Sequence, residues 1–523
     1  MFSGGAFSEY PFSTTFEGAC ALLLGSASLA VSREFRIFAG TTEFITRDTD
    51  TLPTQPFFGT LVQPLSFTRS LLGSDIIGNF TSGTGELQLA NTDGGYDNLI
   101  QSFAIDGRPI VVKVGREGDA YNNFYTIFSG TASDWIVQED VVKIKLVDNG
   151  YLLDVTIQPN LYAGTSGVEG TADLKGKRKP RAFGYVKNIS PPLVIPASLL
   201  YQVNDGSVSA ITAVYDRGVA LTFQTDYATS ALLIAAGITA GNYSTCKAEG
   251  MFRVSSVPSG TITTDVSGDN RSSTFVSTSA DIVRRILASS SIADPGGLYT
   301  PSFAVVNATQ PADIGYYVAP DDTNTIGDAI ANIMGGIGGW GGFRRNGQFA
   351  LGIFLTPTGG VPSARFDRSD IIAIGREALP SALTPPPYRF RCAFSHNWTV
   401  QTDVAASVGA TRASFLAQSD RYSNSINNTI KLDHPFAHDR DPIGCYFLNS
   451  ADAQTESDRL LALYARNAAL YRFTVGVQPF AFDVGDVVFL TYPRWNLTYG
   501  RLLRVVEMTE NAANNEIELV AYG

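Results

Sequence analysis

Cysteine and histidine are scarce in this 523-residue chain, which has four of the first and three of the second. Cys20, Cys246, Cys392 and Cys445 lie far apart with no CxxC spacing. That spacing excludes the paired-ligand patterns of zinc and iron–sulfur sites and the dense framework of a disulfide-stapled domain. The four read as free buried thiols of a protein made in a reducing cytoplasm. With so few histidines a Ser-His-Asp arrangement has little to draw on, and neither HExxH nor GxSxG occurs. Charge is thin as well: Asp, Glu, Lys and Arg make up 17% of the residues, and the formal net charge is -11. An acidic balance argues against phosphate-backbone binding, whose affinity comes from clustered Lys and Arg. Hydrophobic runs are too short to cross a bilayer, so no stable membrane insertion is expected. The segment CALLLGSASLAV has the length of a signal-peptide core, but Glu9 and Glu17 precede it and no Lys or Arg does. A structural strand or short helix is the expectation there.

What remains is a chain long enough for three or four domains, with a surface built from Ser, Thr, Asn, Gln and Gly. Such a surface suits permanent neighbours. At the start, Phe2-Ser3, Phe7-Ser8 and Phe12-Ser13 recur every five residues. Period five matches neither helix nor strand, so residues 1–31 are expected to form an arm with no fold of its own. Leaving three phenylalanines in water is costly. Phe2, Phe7 and Phe12 therefore either contact a neighbouring partner or pack on their own domain.

The fold class expected is mainly β with a few helices: several antiparallel barrel or sandwich domains with helix insertions. Residues 32–155 alternate as strands do, with Val142, Ile144 and Leu146 interleaved by Lys143 and Lys145. Turn signals such as Asp93-Gly94-Gly95 and Asp148-Asn149-Gly150 separate those strands. A second β-domain is expected over 156–275. A helical segment with a glycine hinge follows over 276–342, where Ile282, Val283, Ile286 and Leu287 share one helix face and Ile326, Ile330, Ile333 and Met334 another. Residues 343–449 are expected as a further β-domain, opening on a hairpin turned at Arg345-Asn346-Gly347. Residues 450–523 end the chain with a helix capped by Ser450 and a β-meander. The helical stripe is read from Leu460 through Tyr471, and the meander from Val487 to Leu519 with Gly500 at a reversal.

Candidate chemistry is sparse. Gly336, Gly338 and Gly341 match GxGxxG, but a helix precedes them and a strand follows, the reverse of a dinucleotide site. Lys175 to Arg181 is the one dense basic run; it reads as a solvated loop or a salt-bridged contact to an acidic neighbour, and it lacks the pattern of a phosphate-binding loop. His434 and His438 have i, i+4 spacing, but Pro435 makes a regular helix doubtful. Asp321-Asp322, Glu139-Asp140 and Asp439 with Asp441 are acids in turn-like settings. No catalytic, cofactor-binding or metal-ligating residue is assigned, no cofactor is expected, and the chain is read as no enzyme.

The end of the chain, AQTESDRLLALYARNAALYRF leading into GDVVFLTYPRWNLTYGRLLRVVE, resembles the end of phage tail-hub and tail-tip proteins. GELQLANTDGGYDNLI, KGKRKPRAFGYVKNISPPLV and YQVNDGSVSAITAVYDRGVALT are similar to segments of phage and prophage tail proteins of alphaproteobacterial and pseudomonad phages. The resemblance implies a structural virion protein, the hub of the tail tip or baseplate. It implies a homotrimer closing the tail tube, in which two barrel-like domains per subunit mimic tube subunits. Residues 32–155 and the β-region near 343–445 are the candidates for that pair. The implied partners are the distal tail or tail tube protein, the tape-measure protein and a fibre or spike, with DNA passing through without specific binding. A receptor- or carbohydrate-binding tail protein is the alternative.

Overall fold

The computed structural model describes residues 11–16, 33–39, 60–72, 77–102, 107–116, 123–288, 290, 292, 297–359, 361–466, 468–476, 482–512 and 514–523. The architecture is mainly β with helices between the sheets, as the strand and turn patterns predict.

One sheet of 13 strands dominates. Its first part, here the first β-unit, runs in the order Pro11–Phe16, Arg33–Ala39, Arg108–Arg116, Tyr125–Gln138, Val141–Val147, Ile77–Ala90, Leu61–Leu72, with antiparallel neighbours throughout. Alternation explains why these segments are strands: Val142, Ile144 and Leu146 are buried while Lys145 between them is exposed. Their side chains meet Leu87, Leu89, Ile110, Val112, Phe128 and Trp135 in one core.

The second β-unit is built from Ala364–Phe366, Ile371–Glu377, Leu470–Val475, Val487–Leu490, Arg501–Asn511 and Glu516–Tyr522. Its core includes Phe366, Tyr471, Phe473, Val488, Leu490, Leu503, Val505, Ile517 and Leu519. The segment 343–449, named as one candidate for a tube-like domain, supplies only Ala364–Phe366 and Ile371–Glu377 to this unit; its other strands are a hairpin and short pieces of two smaller sheets. The 13-stranded sheet thus spans sequence segments expected to lie in separate domains.

A third β-region lies between them in sequence. Five strands in the order Val219–Ala220, Val208–Asp216, Ile262–Asp269, Arg181–Ile189, Gly315–Val318 face five others that include Leu200–Gln202 and Met251–Val254, with Val186, Tyr201, Val214, Phe252 and Val266 in the core. A helical layer carries the largest core of all. Helices Ser279–Leu287, Ile326–Gly335 and Ser450–Tyr464 bury predicted apolar residues against Phe349, Phe390, Cys392 and Cys445, and helix Thr300–Thr309, which the sequence pattern did not signal, adds Phe303 and Val306. Thr325 and Asp328 cap helix Ile326–Gly335 reciprocally.

Three expectations need correction. The final helix ends at Tyr464, and Leu470 and Tyr471 open the strand Leu470–Val475 instead of continuing the stripe. Ladders on both sides, to Ile371–Glu377 and Glu516–Tyr522, outweigh the local helical spacing. The residue before that helix is Asn449, with Ser450 its first helical residue, and no side chain caps the end. The arm expected to lack a fold contains the strand Pro11–Phe16, which pairs with Arg33–Ala39 and sets Phe12 opposite Ile37. Pairing with a sheet supplies the structure that a period of five could not signal locally. Phe2 and Phe7, like Cys20, lie outside the described residues.

Candidate functional site, the seam between the two units

The two β-units join by strand pairing. Leu61–Leu72 lies antiparallel to Arg501–Asn511, with Ser66 opposite Asn511 and Ser70 opposite Glu507. The other half of Arg501–Asn511 pairs with Val487–Leu490, so this one strand belongs to both units. Side chains reinforce the ladder: Thr68 and Thr509 hydroxyls lie 3.0 Å apart, and the Ser70 hydroxyl donates to Glu507 at 3.0 Å.

Beneath the ladder is a buried ionic network. Arg69, whose side chain is 1% exposed, donates to Asp483 Oδ2 at 2.6 Å. Arg345 donates to Glu510 Oε1 at 2.6 Å and to the Phe482 carbonyl at 2.7 Å, and its backbone N–H reaches Asp483 at 3.4 Å. Burial alone would raise the Asp483 carboxyl, but the charges of Arg69 and Arg345 outweigh it and hold the group below its ordinary range. Arg345 sits at the turn of the hairpin Gly339–Phe343 and Phe349–Ile353, placed there as the Arg-Asn-Gly signal predicts, with Gly347 at φ +80. Its carbonyl accepts from the Ser129 N–H of the first unit at 2.8 Å. The hairpin turn therefore touches both units at the junction.

At the outer side of the seam Arg472 binds three carboxylates, Glu377 at 2.8 Å, Glu518 at 2.6 Å and Glu507 at 3.3 Å, and these partners raise its pKa although burial opposes them. Chemically the arrangement fastens; it does not present a nucleophile or a proton donor to a cavity.

The residues singled out in the sequence are dispersed. The basic run is largely neutralised within the chain: Lys177 pairs with Asp321 at 3.3 Å, Lys179 with Glu169 at 2.7 Å, and Arg178 donates to the Asp322 carbonyl. Arg181 is buried against Asp269, which also holds Arg271 and Arg285. Burial and the nearby Arg271 lower the Arg181 guanidinium to about 10. Gly336 and Gly338 stand between helix Ile326–Gly335 and strand Gly339–Phe343, and Gly341 lies within that strand, in the order that a dinucleotide site does not use. Asp439 is occupied by Arg389 and Arg391, each at 3.1 Å. His434 lies beside a groove bordered by Pro385 and Phe436, and among the described residues no group of three His, Cys, Asp or Glu is placed to hold a metal. Cys246, Cys392 and Cys445 are free and buried.

Sequence reasoning missed the seam because its partners are remote. It also read YPRWNLTY as turn chemistry alone, although the density of aromatics there was visible; the fold gathers Tyr492 and Trp495 into a stacked pair, with Tyr499 94% exposed nearby.

No family model matches the chain, and no curated protein matches it. Among solved structures it is similar to the tail protein from Neisseria meningitidis MC58, with a TM-score of 0.40 and 10% identity over 88% of this chain and 92% of that one. It is similar to the 43 kDa tail protein of prophage MuSo2 from Shewanella oneidensis, with a TM-score of 0.38 and 10% identity over 94% and 98%. A chain of the native gene transfer agent virion gives a TM-score of 0.42 and 14% identity over 71% and 91%. At these scores the likeness bears on neither activity nor partners.

Proposed function

We propose that this chain is a non-enzymatic structural protein of a phage tail, and within it the hub of the tail tip or baseplate. The observation that carries the reading is the seam: two β-units of one chain stand side by side, joined edge to edge through Leu61–Leu72 and Arg501–Asn511. A chain that fuses two such units is suited to stand for two subunits of a ring, so three copies would match a sixfold tube. On this reading the tail tube or distal tail protein lies on one side of the ring, a fibre or spike on the other, and the tape-measure protein within. The net charge of -11 fits a channel through which DNA slides, because an acidic wall does not hold phosphates.

Negative-stain electron microscopy of the purified chain tests this. Threefold rings around an open lumen are the expected result. Single particles that stay monomeric when mixed with the tail tube protein, or a ring whose lumen is lined by Lys and Arg, would refute it. A second reading, a receptor- or carbohydrate-binding tail protein, has one observation in its favour: the exposed aromatic and arginine side chains at one end of the second unit.

A further inference from the structure

At one end of the second β-unit, two loops run side by side. One follows Ala364–Phe366 and spans 367–370; the other follows Val487–Leu490 and spans 491–500. The Thr491 N–H donates to the Phe366 carbonyl at 2.9 Å, which fixes the two loops against each other. Between them lies a groove of about 580 Å³, lined by Asp367, Arg368, Ser369, Thr491, Tyr492 and Thr498 among others. The second loop is held in an unusual backbone: Trp495 and Asn496 have φ of +54 and +61, a region that bulky side chains rarely adopt.

Positive charge gathers at this end of the unit. Arg365, Arg368, Arg494 and Arg501 cluster in sequence and space around these loops, and none of the four pairs with a carboxylate among the described residues. Arg69, Arg181, Arg345 and Arg472 are by contrast consumed by ion pairs, while Arg344, Arg412 and Arg421 sit on rings away from this groove. Here aromatic rings hold three of the four instead. The Arg494 guanidinium lies 4.9 Å from the Trp495 ring centre, Arg368 lies 5.7 Å from Tyr492, and Arg365 lies 4.8 Å from Phe489. A guanidinium seated on a ring keeps its N–H edges available to grip an oxyanion with two parallel hydrogen bonds; Arg368 gives Nη1 to the Ile371 carbonyl at 3.3 Å and has its remaining N–H groups for a ligand.

The groove also has acceptors. Hydrogen bonds from the Ser369 hydroxyl and backbone hold the Asp367 carboxyl below its ordinary range, so it is ionised and accepts from hydroxyls. Thr491 and Thr498 add hydroxyl groups, and Tyr499, next in the chain to Thr498, is exposed. This combination favours a ligand that carries anionic groups at intervals and many hydroxyls between them.

We propose that this groove binds an acidic polysaccharide, its carboxylates taken by Arg368 and Arg494 and its hydroxyls by Asp367 and the threonines. Single-stranded nucleic acid, the other ligand that arginine and aromatic side chains suit, fits less well. Tyr492 and Trp495 are stacked on each other at 5.8 Å and guanidiniums sit on both rings, so a base finds these faces taken. The inference rests on these side chains and stands apart from the hub reading.

Titration of the full-length protein with polygalacturonate and hyaluronate, beside neutral dextran and a single-stranded DNA oligomer of matched charge, tests it by calorimetry and tryptophan fluorescence. Saturable binding of an acidic polysaccharide, absent for dextran and weakened at least tenfold in Arg368→Ala/Arg494→Ala, is the expected result. Arg368→Lys/Arg494→Lys keeps the charge and removes the paired donors, and is expected to recover less than half of the lost binding free energy. Absence of binding to both polysaccharides, equal binding by the double alanine variant, or tighter binding of the DNA oligomer overturns the proposal. Both arginines are on the surface, and circular dichroism and particle images of the variants should match the parent protein. Rings that persist while saccharide binding fails would remove this site and leave the hub reading intact.

Discussion

Replacing Arg69 by methionine keeps the aliphatic stem of the side chain and deletes its charge, which leaves Asp483 buried without its closest partner. Removing one member of a buried pair typically costs about 3 to 5 kcal/mol. Asp483 retains the Val484 N–H at 2.7 Å and the more distant Arg345 N–H at 3.4 Å. The lower end, about 3 kcal/mol, is therefore expected. With a urea dependence of about 2 kcal/mol per molar, that moves the midpoint of the transition that opens the seam down by about 1.5 M. Several units of one chain need not unfold together, so the readout is amide exchange at residues 66–70 and 507–511 as urea rises. The companion Arg69→Met/Asp483→Leu, which removes both charges, should recover all but about 1 kcal/mol of the loss. A single variant whose seam opens within 0.3 M of the parent, or a double variant no better than the single, would refute the idea that this ion pair fastens the two units.

The same pair sets a pH dependence. Asp483 is held below its ordinary range in the folded protein, so its contribution is complete above about pH 4, the unfolded value, and is lost as pH falls through the folded one; seam exchange should accelerate in acid, and Asp483→Asn should flatten that part of the profile. Gly184 has φ +64, and an added Cβ would lie 2.1 Å from the Ile314 carbonyl oxygen, so Gly184→Ala should lower stability by roughly 2 to 4 kcal/mol, seen as a reduced melting temperature. Lys177→Ala/Lys179→Ala breaks two partly exposed pairs and should cost less than about 1 kcal/mol. If the basic run is already neutralised within the chain, its retention on a DNA column should stay unchanged as well.

Local order was legible wherever a pattern repeats on one face. Val142, Ile144 and Leu146 announce a strand by themselves, and Ile282, Val283, Ile286 and Leu287 announce a helix face, because burial of one side is enough to define each element. The Arg-Asn-Gly turn and Gly500, which has φ +77, were legible for a similar reason: backbone geometry demands those residue types. Leu470 and Tyr471 misled because they continue a helical spacing, and only the strands on either side reveal that they belong to a sheet. The seam was beyond reach from sequence. Arg69 and Asp483 are separated by 414 positions, and neither carries a local sign of its partner. The saccharide groove was half visible, since the aromatics and arginines of YPRWNLTY stand together in sequence, but their neighbours Arg365, Asp367 and Arg368 come from a strand and loop more than a hundred positions earlier.

The strand Arg501–Asn511 has a mechanical consequence. It gives its first half to the ladder with Val487–Leu490 and its last half to the ladder with Leu61–Leu72. A hinge needs a few residues free to change their backbone angles. Along this strand only Val506 stands outside the ladders: Val505 still donates to the Asp486 carbonyl at 2.9 Å and pairs with Ala521, whereas the register against Glu516–Tyr522 shifts between Val505 and Glu507. Any tilt of one unit against the other along this strand is therefore concentrated at that single step, between two stretches that the ladders hold stiff.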